Sequence, residues 1–209
     1  MVTLQVRDIA IAGSTNGYET ERDNQYVKQT RSLDPRSTIL VVIDAWQTHP
    51  NDGLAERLTT LVKDKINPLI QRCRQLGIRV IHTPHGQPEN QLLSQSSRDY
   101  YPNWATQYAT TEAFDFYLKN SVLFPNRVRT LIYCGAATNW CVTFGRPIGL
   151  GTMAVKLGLS RSYLIVRDAC IAVEMPCTLD AQTLHDSTIS MVEMLFGAST
   201  TVQDLQEAN

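Results

Sequence analysis

Thr38-Ile39-Leu40-Val41-Val42-Ile43-Asp44 is an unbroken aliphatic run that stops on a carboxylate. Strict alternation would mark a strand with one wet face. A run apolar at every position reads instead as a strand buried on both faces, as in a parallel sheet covered by helices. Moving outward, a polar loop with Asn51, Asp52 and Gly53 leads into Leu54 to Leu76, where Leu58, Leu61, Val62, Ile66, Leu69, Ile70 and Cys73 recur near helical spacing. Pro68 is expected to kink this helix and Gly77 to close it, after which Ile78 to Thr83 reads as a second strand.

The alternation continues with a helix at Glu112 to Lys119, a strand at Thr130 to Cys134, a helix opening near Asn139 to Val142, and a strand at Tyr163 to Val166. A helix from about Thr178 to Phe196 and a short strand at Ser199 to Val202 close it. Such repetition predicts an α/β fold: a Rossmann-like three-layer α/β/α domain with a mostly parallel sheet over residues 38–209. Residues 1–37 read as an N-terminal extension in which Leu4 to Ile9 and the stretch around Tyr26 to Lys28 pair as a hairpin packed on the main domain. Residues 84–111 form a long polar insertion ending in Tyr100, Tyr101, Trp104 and Tyr108, the pattern of a lid or a subunit contact.

Composition narrows the function. The 209 residues carry 19 Lys and Arg against 20 Asp and Glu, a net charge of -1, so no global field exists to hold nucleic acid or an anionic membrane. No run approaches the roughly 18 apolar residues of a membrane span. Five cysteines without paired spacing argue against a disulfide framework, and the N-terminus shows no basic-then-apolar leader. A cytoplasmic, small-molecule-binding protein is the expectation, with no cofactor.

In parallel sheets ligands sit at the carboxyl ends of the strands, which is where Asp44, His82 and the turn after Cys134 fall. That turn, Gly135-Ala136-Ala137-Thr138-Asn139-Trp140-Cys141-Val142, runs from a buried strand into small residues. A thiol on the first turn of a following helix would meet free N-H groups and the positive helix end, which lower its pKa and make a nucleophile. By position alone Cys141 also reads as a buried core thiol, like Cys73, Cys134 and Cys170, and Asp44 as a helix-cap or loop carboxylate. Trp46 and Trp140 adjoin these residues and either wall an apolar pocket or pack in the core. Arg146-Pro147 follows the cysteine; Pro147 is expected to bend the helix there, and an arginine so placed suits a carboxylate substrate. His82 and His85, with His49, invite a metal reading, but the spacing falls short of a zinc ligand set and no metal is expected.

Val42-Ile43-Asp44-Ala45-Trp46-Gln47, paired with Gly135 to Val142 about a hundred residues later, resembles the isochorismatase-like cysteine hydrolase family over roughly Thr38 to Val202, and Gly197-Ala198-Ser199-Thr200 resembles its close. The resemblance implies a homo-oligomeric enzyme that hydrolyses small amides or related acyl compounds through a thioester, using an Asp-Lys-Cys triad. Cys141 matches the nucleophile and Asp44 the carboxylate that takes its proton. It also implies a non-proline cis peptide between Ala136 and Ala137 that aims the Ala137 N-H into an oxyanion hole. His85 is a further substrate-facing candidate.

The lysine departs from the pattern. The nineteen basic residues comprise fourteen Arg and five Lys, at positions 28, 63, 65, 119 and 156, and none precedes Ala113-Phe114 where the family keeps its own. Three readings follow: another group such as His82, His85 or Arg146 replaces it; the chemistry differs; or the pocket only binds a small molecule or a protein partner.

Overall fold

The computed structural model describes residues 1–10, 25–85, 89–93, 110–120 and 127–209. Most of the 84–111 insertion therefore lies outside the described residues. The strands are β1 (Val2–Ala10), β2 (Gln25–Leu33), β3 (Thr38–Ile43), β4 (Arg79–Thr83), β5 (Thr130–Ala136), β6 (Ser162–Ile171) and β7 (Ala198–Thr200). They form one seven-stranded sheet in the order β2-β1-β7-β6-β5-β3-β4. β3 to β7 run parallel, while β1 is antiparallel to both β2 and β7. All six residues of β3 are buried, as the continuous apolar run required.

The helices are α1 (Asp52–Leu61), α2 (Asn67–Gln75), α3 (Thr111–Asn120), α4 (Leu150–Leu157), α5 (Thr183–Leu195) and α6 (Val202–Glu207). The α/β/α expectation holds. α1 and α2 are one rod joined through a π-helical stretch, Val62–Ile66. Pro68 explains it: proline has no N-H, and its ring would collide with the carbonyl four residues back, so the chain widens by one residue per turn just before it. Asn51 caps α1 by accepting from the Leu54 N-H at 3.0 Å. Glu174 takes the Leu184 and His185 N-H groups at the start of α5, and Asp168 takes the Val202 N-H at the start of α6.

Three expectations need correction. Residues 138–149 do not form a helix after β5. Amides at Trp140 and Val142 turn back onto the Ala137 carbonyl, the Trp140 carbonyl receives three N-H groups, and helix begins only at Leu150. Pro147 cannot supply an N-H, and this delays the helix past it. α5 starts at Thr183 rather than Thr178, because Met175 to Gln182 turn locally before Glu174 can cap. Val202 begins a helix, with Thr201 and Asp204 forming a reciprocal capping box, instead of ending a strand.

Two backbone features bring the strand ends together. Gly135 has φ +119, and a Cβ there would lie 1.8 Å from the carbonyl oxygen of Ile43, the residue before Asp44. β5 can pass β3 this closely only with glycine. In β6, the pairing partners jump from Ile165, opposite Tyr133, to Cys170, opposite Gly135. Val166 to Ala169 thus bulge opposite Cys134 alone. Gly135→Ala is expected to lower the thermal midpoint by several degrees and to disturb Asp44 and Cys141 together; calorimetry alongside thiol labelling measures both, and an unshifted midpoint refutes the close-approach argument.

Candidate functional site

Asp44 lies one residue beyond β3, with a left-handed backbone (φ 46) and no exposed surface. Its only ion-pair partner among the described residues is Arg146, whose Nη1 donates to Oδ1 at 3.0 Å. The same Nη1 donates to the Thr83 carbonyl at the end of β4. One guanidinium therefore ties the ends of β3 and β4 to the turn after β5.

Arg146 is held in turn: the Gly149 N-H donates to its carbonyl, Thr111 Oγ1 to the Pro147 carbonyl and Tyr133 OH to the Ile148 carbonyl.

Burial pushes the Asp44 carboxyl up to about 6; Arg146, the Cys141 thiol and the His85 amide pull it down without overcoming desolvation. Oδ2 makes no hydrogen bond of standard geometry.

Cys141 is partly exposed, unlike Cys73, Cys134 and Cys170, which are buried as expected of core thiols. Its thiol is pushed up to about 12, first by burial and then by the Asp44 carboxylate; Arg146 and the Ala137 N-H oppose this. The expected lowering by a helix N-terminus does not occur, because the thiol sits on a turn and faces a carboxylate. The resting pair is thiol plus carboxylate. Such a thiol becomes nucleophilic only as its proton leaves for a base, and the group set against it is the Asp44 carboxyl, pushed up to about 6.

The Ala136-Ala137 peptide is cis, as the resemblance implied. The Ala137 N-H faces the Cys141 sulfur. The Thr138, Trp140 and Val142 amides are engaged by the Ile171 and Ala137 carbonyls, whereas among the described residues no carbonyl accepts from Ala137 N or Cys141 N.

The remaining candidates divide. Trp46 is buried, donates from Nε1 to the His85 carbonyl at 3.0 Å and stacks on His49 at 5.1 Å. Trp140, by contrast, is 61% exposed and forms no part of a buried wall. The side chain of His85 is exposed, and its backbone is what approaches Asp44. His82 is fully buried and its Nδ1 lies 2.9 Å from Glu89 Oε1, while His49 Nδ1 accepts from the Asn51 N-H. Among the described residues no three His, Cys, Asp or Glu side chains gather as a metal site. All five lysines are described, and none contacts Asp44 or Cys141; Lys119 pairs with Asp115 at 2.5 Å.

Sequence reasoning missed the Thr83 carbonyl as the second anchor of Arg146, since a backbone acceptor leaves no residue-type signal. It also missed the Thr138-His185 contact beneath the turn, at 2.9 Å.

No family model matches the sequence, and no curated protein matches it. Solved structures do match. A cysteine hydrolase from Pseudomonas syringae pv. phaseolicola aligns over 83% of this chain and 94% of its own, with TM-score 0.57 and 18% identity. The YcaC gene product of Escherichia coli, described as an octameric hydrolase of unknown specificity, aligns over 83% of this chain and 79% of its own, with TM-score 0.56 and 16% identity. An isochorismatase family protein from Desulfovibrio vulgaris aligns over 82% and 97%, with TM-score 0.55 and 18% identity. The fold is thus isochorismatase-like.

In a Cys177→Ser background, which removes the exposed thiol, iodoacetamide labelling at Cys141 is expected to rise as Asp44 ionises, with half-effect near pH 6, and then to level off. The sign follows from the base: a protonated carboxyl cannot accept the thiol proton. Asp44→Asn should slow labelling at pH 7.5 at least tenfold. A rate that climbs steadily through pH 9 in both proteins, read by peptide mass spectrometry, would refute the base assignment.

Proposed function

We propose that this chain, which has the isochorismatase-like fold, is a cysteine hydrolase acting on a small amide or related acyl compound, with Cys141 as nucleophile, Asp44 as base and Arg146 in the place of the family's lysine. The observation that carries the reading is the buried Asp44-Arg146 pair, with a thiol set against the same carboxylate. Residues 38–209 are read as the hydrolase unit and 1–37 as an extension.

The chemistry follows from the protonation states. As Sγ attacks the substrate carbonyl, its proton passes to Asp44, and the Ala137 and Cys141 N-H groups hold the oxyanion. Collapse of the tetrahedral intermediate breaks the C-N bond, and Asp44 returns the proton to the leaving amine. Water then attacks the thioester, Asp44 takes its proton, and the departing thiolate recovers that proton. Arg146 cannot act as an acid at any working pH, since guanidinium stays protonated. Its part is to keep a buried carboxylate ionised, and every proton moves through Asp44. Trp46 supplies an apolar wall. Trp140 and Phe144, 61% and 45% exposed, fit burial between subunits of a homo-oligomer, in keeping with the octameric hydrolase of similar fold. No described helix is long and apolar enough to cross a membrane, and a cytoplasmic setting for the reduced thiol is part of the same proposal.

A catalytically silent binder is the competing reading, motivated by the absent lysine. Screening small primary amides for ammonia release separates the two: turnover that vanishes in Cys141→Ala supports hydrolysis, and none from an active-thiol preparation across a broad amide and ester panel overturns it. Where turnover is found, Arg146→Lys should keep at least a tenth of kcat/KM. Arg146→Met removes the cation that lowers the Asp44 pKa, so its acid limb should move above pH 6 and kcat/KM at pH 7 should fall a hundredfold or more. Circular dichroism controls for folding, and an unmoved acid limb in a folded Arg146→Met refutes the role.

A further inference from the structure

The bulge in β6 borders a second groove. Between α1 and α5, where Val166 to Ala169 leave the β5 register, lies a groove of about 560 Å³ lined by neither Asp44 nor Cys141. This is the size of a metabolite pocket. Four cations line it: Arg7 from β1, Arg57 and Lys65 from the α1 rod, and Arg167 from the bulge. Two are neutralised, Arg7 by Glu193 at 2.8 Å and Lys65 by Asp168 at 3.0 Å. Those carboxylates are committed elsewhere too, Glu193 to Ser199 and Asp168 to the start of α6.

Arg57 and Arg167 are different. Among the described residues neither has a carboxylate in ion-pair contact. Each is fixed by one bond to a neutral acceptor, Arg57 Nη2 donating to the Ala172 carbonyl at 3.1 Å and Arg167 Nη1 to Ser199 Oγ at 2.9 Å. A guanidinium has five donors in a planar fork, so each keeps several for a ligand. Arg167 is also crowded: burial and the neighbouring Arg7 charge both lower its pKa, despite Asp204, Glu193 and Asp168 nearby. An anion relieves that repulsion.

The exposed acids Asp64 and Asp186 lie on the same lining. They disfavour a bare polyanion and offer acceptors to hydroxyl or amino groups on the remainder of the ligand.

We propose that this groove binds a small carboxylate or phosphate bearing hydroxyl or amino groups, with Arg57 and Arg167 holding the anionic end. The site stands apart from the Cys141 chemistry yet shares a wall with it: His185 lines the groove and its Nδ1 lies 2.9 Å from Thr138 Oγ1, the residue after Ala137.

Calorimetric titration at fixed ionic strength with inorganic phosphate, glycerol 3-phosphate and malate tests the proposal. Saturable binding of at least one is expected, tighter for glycerol 3-phosphate than for inorganic phosphate if a phosphate is preferred and tightest for malate if a carboxylate is. Arg167→Gln and Arg57→Gln should each weaken it tenfold or more, while Cys141→Ala should leave it unchanged. No saturable binding by any of the three, or binding equally tight in both folded arginine variants, overturns the assignment. Loss of binding in Cys141→Ala would place the ligand in the catalytic site and overturn it as well. The readout is binding alone, so it stands whether or not the protein turns over an amide.

Discussion

A carboxylate with no exposed surface can stay ionised only if something nearby offsets its desolvation, and here one guanidinium carries that task. Arg146 contacts Asp44 and the Thr83 carbonyl together, so a single side chain from the turn after β5 fixes the ends of β3 and β4. The burial still wins in part, leaving Asp44 near 6 rather than at an ordinary carboxylate value. Breaking such a buried pair on one side typically costs about 3–5 kcal/mol. The contact is therefore structural as well as electrostatic: the rigid turn that holds Arg146 also holds Cys141 and Ala137.

On the proposed reading, arginine in place of the family's lysine changes what the site can do. An ammonium loses its proton when buried and can join a relay, whereas a guanidinium cannot. The Cys141 thiol, raised to about 12, is equally unable to supply a standing thiolate. Between an unyielding cation and an unyielding thiol, the carboxyl is the group whose proton can move near neutrality. In the proposed reaction the thiol is therefore activated by proton transfer during attack, unlike sites in which a preformed thiolate waits beside a cation.

Much of this was legible in the chain. The β3 run and the core thiols follow from hydrophobic patterning and local chemistry. Asp44 and Cys141 could be paired because strand ends gather at one edge of a parallel sheet. What escaped depended on distant contacts. The turn over residues 138–149 imitates a helix in residue type, and only its hydrogen bonds back to Ala137 and Trp140 reveal otherwise. The sign of the thiol shift was set first by burial and then by a carboxylate almost a hundred residues away. Arg146 stood out as a candidate through its neighbour Pro147, but the carbonyl that anchors it has no signature. The β6 bulge is a matter of register, which a string of residues does not display.

The hairpin of β1 and β2 has a consequence for the sheet's boundary. Were the sheet to end at β7, a three-residue strand would present its unpaired backbone to any passing chain. β1 covers it and passes the free edge to β2, whose exposed and half-exposed positions include Lys28, Gln29 and Arg31. Charged side chains on a terminal strand discourage another chain from adding to the ladder. In the proposed homo-oligomer, contacts between copies are thereby steered away from that border, toward surfaces such as those bearing the exposed Trp140 and Phe144.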